Sequence, residues 1–264
     1  MSAMMLDDKV VVVYGAGGAI GGAVSRAFAS EGARLFVTGR LREPVDAVAE
    51  EITAAGGSAE AATVDALDER AVEAHLGYVV GRAGRVDVSF NAVGVPDTGV
   101  VGVPLADLDV DRFSLPIARY TRSYFLTARL AARRMVQNGS GVIMTVSALP
   151  ARTGTTLIGG YGPAQAAKDA LTRGLSAELA PHGIRVLALR PHGIPETSSM
   201  REVAGLKAAG VDYERFRAYL AGTTHPRRVM TLGEVADAAV FLASDRARGL
   251  TGTVVNLTMG ALDD

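Results

Sequence analysis

Apolar residues fall along this chain in two alternating patterns. Short runs rich in Val and Ile have the continuous apolar character of strands buried on both faces. Ala-rich segments with helical spacing lie between them. The first strand is expected at Val10–Tyr14, then a helix at Gly21–Glu31 closed by Gly32. Arg34–Thr38 reads as a second strand, and Glu43–Ala55 as a helix stopped by Gly56-Gly57. Ala61–Val64 is a third strand, and Asp68–Arg82 a helix with Asp68 as its N-cap. Val86–Phe90 is a fourth strand, followed by a loop to Pro104 and a long helix over Asp111–Asn138. Gly141–Val146, Ile184–Leu189 and Thr253–Leu257 complete the strands, and Tyr161–Ala180 is a further helix. Helical pieces are expected at Ser199–Ala208, Asp212–Ala221 and Leu232–Leu242.

Strand–helix alternation at this spacing implies right-handed crossovers and a parallel sheet covered on both faces. The expected class is therefore α/β, a Rossmann-like doubly wound sheet in a single domain over residues 1–264. No composition shift or long linker divides the chain. The segment from Thr197 to Pro226 breaks the rhythm and carries mixed charge, so a lid is expected over 197–226.

Composition narrows the picture. The 264 residues are 48% hydrophobic, enough to bury a sizeable core without cross-links. There is no cysteine, which excludes disulfides, thiol nucleophiles and thiolate metal sites. The net charge of −1 offers no basic stripe for nucleic acid. Met1 to Lys9 carries Asp7 and Asp8 and no apolar core, unlike a secretory signal. No apolar run reaches the roughly 18–20 residues of a membrane span. The expectation is a soluble, cytoplasmic protein. Its histidines, His75, His182, His192 and His225, show no metal-ligand spacing, so no metal is expected, and His75 and His182 read as surface positions of helices.

The first strand runs straight into Gly15-Ala16-Gly17-Gly18-Ala19-Ile20-Gly21. Glycines there let the backbone turn and approach a pyrophosphate, and the following helix presents free N–H groups to it. Gly15, Gly17, Gly18, Ile20 and Gly21 are thus candidate dinucleotide-binding residues. In such folds an acidic residue about 20 positions further on holds the ribose 2′-hydroxyl. Here that place is Gly39, with Arg40 and Arg42 just beyond. A guanidinium suits a 2′-phosphate, so NADP(H) is expected over NAD(H).

With those residues in place, the chain resembles the short-chain dehydrogenase/reductase family over essentially its whole length. Gly15-x-x-x-Ala19-Ile20-Gly21 is similar to the family's Thr-Gly-x-x-x-Gly-x-Gly loop, with Tyr14 for the Thr and Ala19 for the middle Gly. Val64-Asp65 resembles the end of the family's third strand, where the Asp holds the adenine amino group and Ala66 follows. Asn91-Ala92-Val93-Gly94 resembles the Asn-Ala-Gly stretch after strand four. Arg190-Pro191-His192-Gly193-Ile194 resembles the loop along the nicotinamide, which implies a cofactor contact at Ile194. Leu242-Ala243-Ser244-Asp245 and Leu250-Thr251-Gly252 match its C-terminal signature.

The resemblance implies a Tyr proton donor aided by a Lys four residues on, a Ser and an Asn. The cation matters because a phenol of pKa about 10 is a poor donor near neutrality unless positive charge stands nearby. Tyr161 matches the tyrosine. Gln165 replaces the lysine; it can hydrogen-bond a ribose hydroxyl but carries no charge. Lys168 lies seven residues after Tyr161, about 10 Å along the axis, and reads as an ordinary, partly exposed lysine. The serine falls on Ala148 if the spacing is kept, or on Ser147 if the loop carries one extra residue. The asparagine falls on Tyr120. His192 either supplies a proton beside the nicotinamide or replaces a turn glycine.

The leading expectation is an NADP(H)-linked oxidoreductase acting on a small carbonyl or alcohol, with Tyr161 and Ser147 catalytic. The alternatives are a degenerate dinucleotide-binding protein and a non-redox dehydratase or cyclase on the same fold, because function lives in the site. The substrate pocket would be lined by Pro96–Pro104, Leu149–Gly160 and the lid. The resemblance also implies a homo-oligomer, dimer or tetramer, built on the two long helices.

Overall fold

The computed structural model describes residues 4–95, 99–198, 200–201, 205 and 212–263. Seven parallel strands form one sheet: β1 (Val10–Tyr14), β2 (Arg34–Gly39), β3 (Ser58–Thr63), β4 (Val88–Asn91), β5 (Gly141–Val146), β6 (Ile184–Pro191) and β7 (Thr253–Leu257). Their order is β3-β2-β1-β4-β5-β6-β7. The chain winds outwards from β1 in one direction, then restarts at β4 in the other. Tyr14 consequently lies beside Thr38 on one side and Asn91 on the other. Doubly wound sheets open a crevice at such a reversal, outside the carboxyl ends of the strands.

The connecting helices are α1 (Ala19–Ser30), α2 (Arg42–Ala54), α3 (Glu69–Ala83), α4 (Val110–Asn138), α5 (Tyr161–Leu179), α6 (Tyr213–Gly222) and α7 (Leu232–Ala243). Alternation along the strands divides the core in two. Val11, Val13, Leu35 and Val37 pack towards Val24 and Phe28 of α1, Val48 of α2 and Val235 of α7. Val10, Val12, Tyr14 and Phe36 pack towards Leu76 of α3 and towards Tyr124 and Ala128 of α4. Because both faces are covered, the inner strands carry no polar alternation, and their uniform apolar sequence follows.

The expected elements form, with bounds moved by a few residues. β3 starts at Ser58 rather than Ala61. It is an edge strand of sequence Ser-Ala-Glu-Ala-Ala-Thr, so its pairing with β2 leaves no apolar signature at its start. β4 begins at Val88; Val86 and Asp87 are buried or half-buried but precede the ladder. The helical piece expected at Ser199–Ala208 falls largely outside the described residues, as does part of the segment expected as a lid. His75 is not at the surface: α3 buries it, and burial pushes its pKa down to about 4. Asp68 caps α3 as expected, its Oδ1 accepting from the N–H groups of Arg70 (2.8 Å) and Ala71 (3.3 Å).

Replacing Asp68 by Ala should lower stability by about 1 kcal/mol, the ordinary worth of an N-cap side chain. Urea denaturation checks this; an unchanged midpoint would mean that α3 does not need the cap.

Candidate active site

Every candidate residue sits at the carboxyl edge of the sheet or on a segment leaving it. At the end of β1, the N–H groups of Gly15 and Ala16 both donate to Thr38 O, each at 2.9 Å. Gly15 adopts φ +79°, which L side chains rarely enter. A Cβ there would lie 2.7 Å from Ala92 O, and one on Gly21 would lie 2.2 Å from Gly15 O. Both glycines are therefore fixed by backbone approach, which brings the 15–18 turn against the 92–94 loop.

Gly18 begins α1 with no side-chain cap, and the first turn holds no acidic residue. Gly17 and Gly18 are exposed and Ile20 is half-buried. The helix thus leaves N–H donors and positive dipole open towards the crevice, a site suited to phosphate. At the end of β2, Arg42 is taken by Asp46, Nε to Oδ2 2.6 Å. Arg40 is exposed and makes no ion pair or hydrogen bond among the described residues. After β3, Asp65 is exposed, with one carboxylate oxygen accepting from Leu67 N (2.9 Å); Ala66 is buried beside it. These residues fit a dinucleotide: an open helix terminus, a free guanidinium and an exposed carboxylate lie along one edge.

Asn91 uses its side chain inside the protein. Its Nδ2 donates to Ser123 Oγ and Thr127 Oγ1, each at 3.0 Å, and its Oδ1 accepts from Val93 N (3.3 Å). It ties the Ala92 loop to α4 and leaves only backbone to line the crevice. Ile194 buries its side chain in the core next to α7, while its carbonyl accepts from Thr197.

Tyr161 is the first residue of α5 and packs edge-on against Tyr120 of α4, with ring centroids 5.7 Å apart at 74°. Tyr120 is held in turn: its hydroxyl accepts from Val95 N at 3.1 Å. Gly160 explains the closeness of α4 and α5 here. A Cβ on it would stand 2.0 Å from Phe113 O. Sequence reasoning missed Gly160, since nothing in its spacing marks that contact. Ser147, just past β5, is 3% exposed, and its Oγ has no hydrogen-bond partner. Thr145 is spent on Asn91 O at 3.1 Å. Gln165 is 2% exposed, and its Oε1 also lacks a partner, which suits a ligand hydroxyl.

Lys168 is the main correction. It is 2% exposed, not a surface lysine. Its side chain leans towards the start of α5, as helical side chains do. Its Nζ donates to Val146 O and lies over the rings of Tyr120 (5.5 Å) and Tyr124 (6.0 Å). Burial pushes its pKa down to about 7, opposed by Asp169. Asp169 itself is bound to Arg190 at the end of β6, 2.6 Å apart, both side chains nearly inaccessible. His192 is buried, its Nε2 3.0 Å from Thr223 Oγ1 at the end of α6, and burial lowers its pKa. It ties the loop after β6 to the end of α6.

Among the described residues, no group of three His, Asp or Glu side chains could hold a metal ion, and no helix is long and apolar enough to cross a membrane.

The sheet order, the glycine turn on β1 and a tyrosine opening α5 define a doubly wound α/β protein of one recognisable family. The chain belongs to the short-chain dehydrogenases/reductases: the model of the enoyl-(acyl carrier protein) reductase family matches residues 15–261. It is 33% identical to cis-4-hydroxycyclohexanecarboxylate dehydrogenase of Sinomonas cyclohexanicum, over 96% of both chains. It is 26% identical to 7α-hydroxysteroid dehydrogenase of Escherichia coli, over 99% of this chain and 97% of that one. A solved 7α-hydroxysteroid dehydrogenase with NADH and 7-oxoglycochenodeoxycholic acid superposes with a TM-score of 0.87, covering 99% and 97% of the two chains. The actinorhodin polyketide ketoreductase with NADPH also gives 0.87, at 26% identity over 94% and 95%. These relatives are oxidoreductases, and the coarse class of this chain is the same.

The Lys168 ammonium sets a pH dependence of stability. Its folded pKa lies below its unfolded value of about 10.4, so the unfolded chain binds the extra proton between those limits. Stability should therefore rise from pH 7 to 9.5, where the buried phenols of Tyr14 and Tyr124, pushed up by burial, stay protonated. Lys168→Met should flatten that rise and raise the melting temperature at pH 7. Thermal denaturation across the range checks both; a wild type whose stability is flat with pH contradicts the burial of the charge.

Proposed function

We propose that the protein is an NADP(H)-linked oxidoreductase that interconverts a small carbonyl compound and its alcohol. One observation carries the cofactor preference. Where β2 ends there is Gly39 and no carboxylate, and Arg40 stands exposed and unpartnered while Asp46 holds Arg42. An acid at that place would repel a 2′-phosphate; a free guanidinium attracts it through charge-assisted hydrogen bonds.

In this reading Gly15, Gly17, Gly18, Ile20 and Gly21 receive the pyrophosphate at the start of α1. Arg40 takes the 2′-phosphate, and Asp65 with Ala66 receives the adenine. The Asn91–Ala92 backbone and Ile194 flank the nicotinamide, and Gln165 accepts from a ribose hydroxyl. When bound, NADPH supplies a hydride to the carbonyl carbon and is oxidised to NADP+. Tyr161 gives its phenolic proton to the carbonyl oxygen and recovers one from water. Ser147 orients the carbonyl by donating from its otherwise unpartnered hydroxyl. The few charges in the Pro96–Pro104 and Leu149–Gly160 segments favour an apolar substrate. In this reading a lid spans 197–226, and the His192–Thr223 contact joins the loop after β6 to the end of α6.

A catalytically silent dinucleotide-binding protein is the second reading. Gln165, which brings no charge next to Tyr161, favours it. Oligomerisation through α4 and α5 is supported by the exposed apolar side chains of Phe125 and Val136 on α4.

Removing the guanidinium with Arg40→Ala should weaken NADPH binding about tenfold or more and leave NADH binding nearly unchanged. Titration calorimetry with both nucleotides checks it; equal losses for the two would refute the 2′-phosphate contact. Steady oxidation of NADPH with a panel of apolar ketones, lost in Tyr161→Phe, separates the enzyme from the silent binder.

A further inference from the structure

Lys168 is the buried cation to which the chemistry above assigns no task. A lysine of this length normally leads its ammonium out to water along an apolar stem. Here the head is enclosed. It has one carbonyl, Val146 O, and two aromatic faces, Tyr120 and Tyr124. The carboxylate beside it in sequence, Asp169, is engaged by Arg190. An ammonium without its own counter-ion is expensive to bury, and Leu or Met would fill the same space without that penalty. Stability therefore does not explain the residue.

The proton chemistry does. A phenol that gives up its proton near neutral pH needs positive charge nearby to stabilise the phenolate. Gln165, one turn after Tyr161, supplies none. Lys168 is two turns after Tyr161 on the same face, and its side chain returns towards the helix start. The Tyr120 ring contacts both, 5.5 Å from the ammonium and 5.7 Å from the centre of the Tyr161 ring. We propose that Lys168 is a positioning residue that supplies Tyr161 with positive charge across the Tyr120 ring, and that it fixes that ring against Tyr161. Charge and ring centre are thus at most about 11 Å apart, worth about one pKa unit at an effective dielectric of about 20.

This rests on the oxidoreductase reading, and it adds a pH dependence. The groups facing Lys168 among the described residues are Tyr120 and Tyr124 from α4, Asp169 of its own helix and Arg190 from β6. Asp169 and Arg190 neutralise each other. The ammonium loses its proton as pH rises through about 7, so proton donation by Tyr161 weakens over the same range.

The test compares wild type, Lys168→Met and Lys168→Met with Gln165→Lys. A fluorinated tyrosine placed at 161 is a more acidic phenol and titrates while Lys168 still carries charge. Its pKa, read by 19F NMR, should be about half a unit to one unit higher in K168M than in the parent. Gln165→Lys in the K168M background should bring it back down. For carbonyl reduction, kcat should fall through pH 7 in the wild type, and K168M should be about tenfold slower and flat over that range, with KM little changed. A phenol pKa that is the same in parent and K168M overturns the proposal, as does a Gln165→Lys that fails to restore it. If K168M does not fold, Lys168→Gln carries the same comparison. A wild type that reduces no carbonyl removes the oxidoreductase reading, while the fluorine titration still decides the electrostatic one.

Discussion

The site depends on one backbone contact. The turn after β1 reaches the loop after β4 because Gly15 has no Cβ, and α1 reaches the turn because Gly21 has none. These two approaches leave no room for a side chain. They set where α1 begins, and therefore where its uncapped N–H groups point. They also bring the Ala92 loop to the edge where β2 and β3 deliver Arg40 and Asp65. The remaining strands need only run parallel and end at the same height for the rest of the crevice to assemble.

On the other side of the crevice, the constraint is electrostatic. α4 and α5 enclose Lys168, while Arg190 and Asp169 close a pair beside it. One positive charge is left over in a buried region. Interior charge of one sign lowers the energy of an opposite charge that forms nearby. The only described phenol at the start of α5 is Tyr161, and the Tyr120 ring connects the two. Tyr120, held by Val95 N, contacts both: its ring lies under the ammonium and packs edge-on against Tyr161.

Much of this was legible in the sequence. The Val-rich runs gave the inner strands because parallel strands buried on both faces leave no polar alternation. Asp68 was legible as a cap because its requirement is local. β3 was half-legible, since Ser58–Ala61 pairs through backbone and carries no apolar signal. Lys168 was not legible. Whether a lysine at that spacing is exposed depends on rings at positions 120 and 124, some forty residues earlier, and on how closely α4 approaches α5. That approach is set by Gly160 against Phe113 O, a contact without any spacing rule. His75 failed for the same reason: helical position alone does not say which face its neighbours cover. The glycine turn could be recognised, but only the coordinates show that Asn91 spends its side chain on α4.

The Arg190–Asp169 pair has a consequence for the history of this chain. Losing Arg190 alone strands the buried Asp169 carboxylate, at about 3–5 kcal/mol, whereas an apolar replacement of both is close to neutral. Substitutions at the two positions are therefore energetically coupled. They form a locked couplet across β6 and α5, and it anchors the segment that leads to His192. A chimaera that exchanges either element with a relative must carry both residues across, or the seam will open at the centre of the fold rather than at its surface.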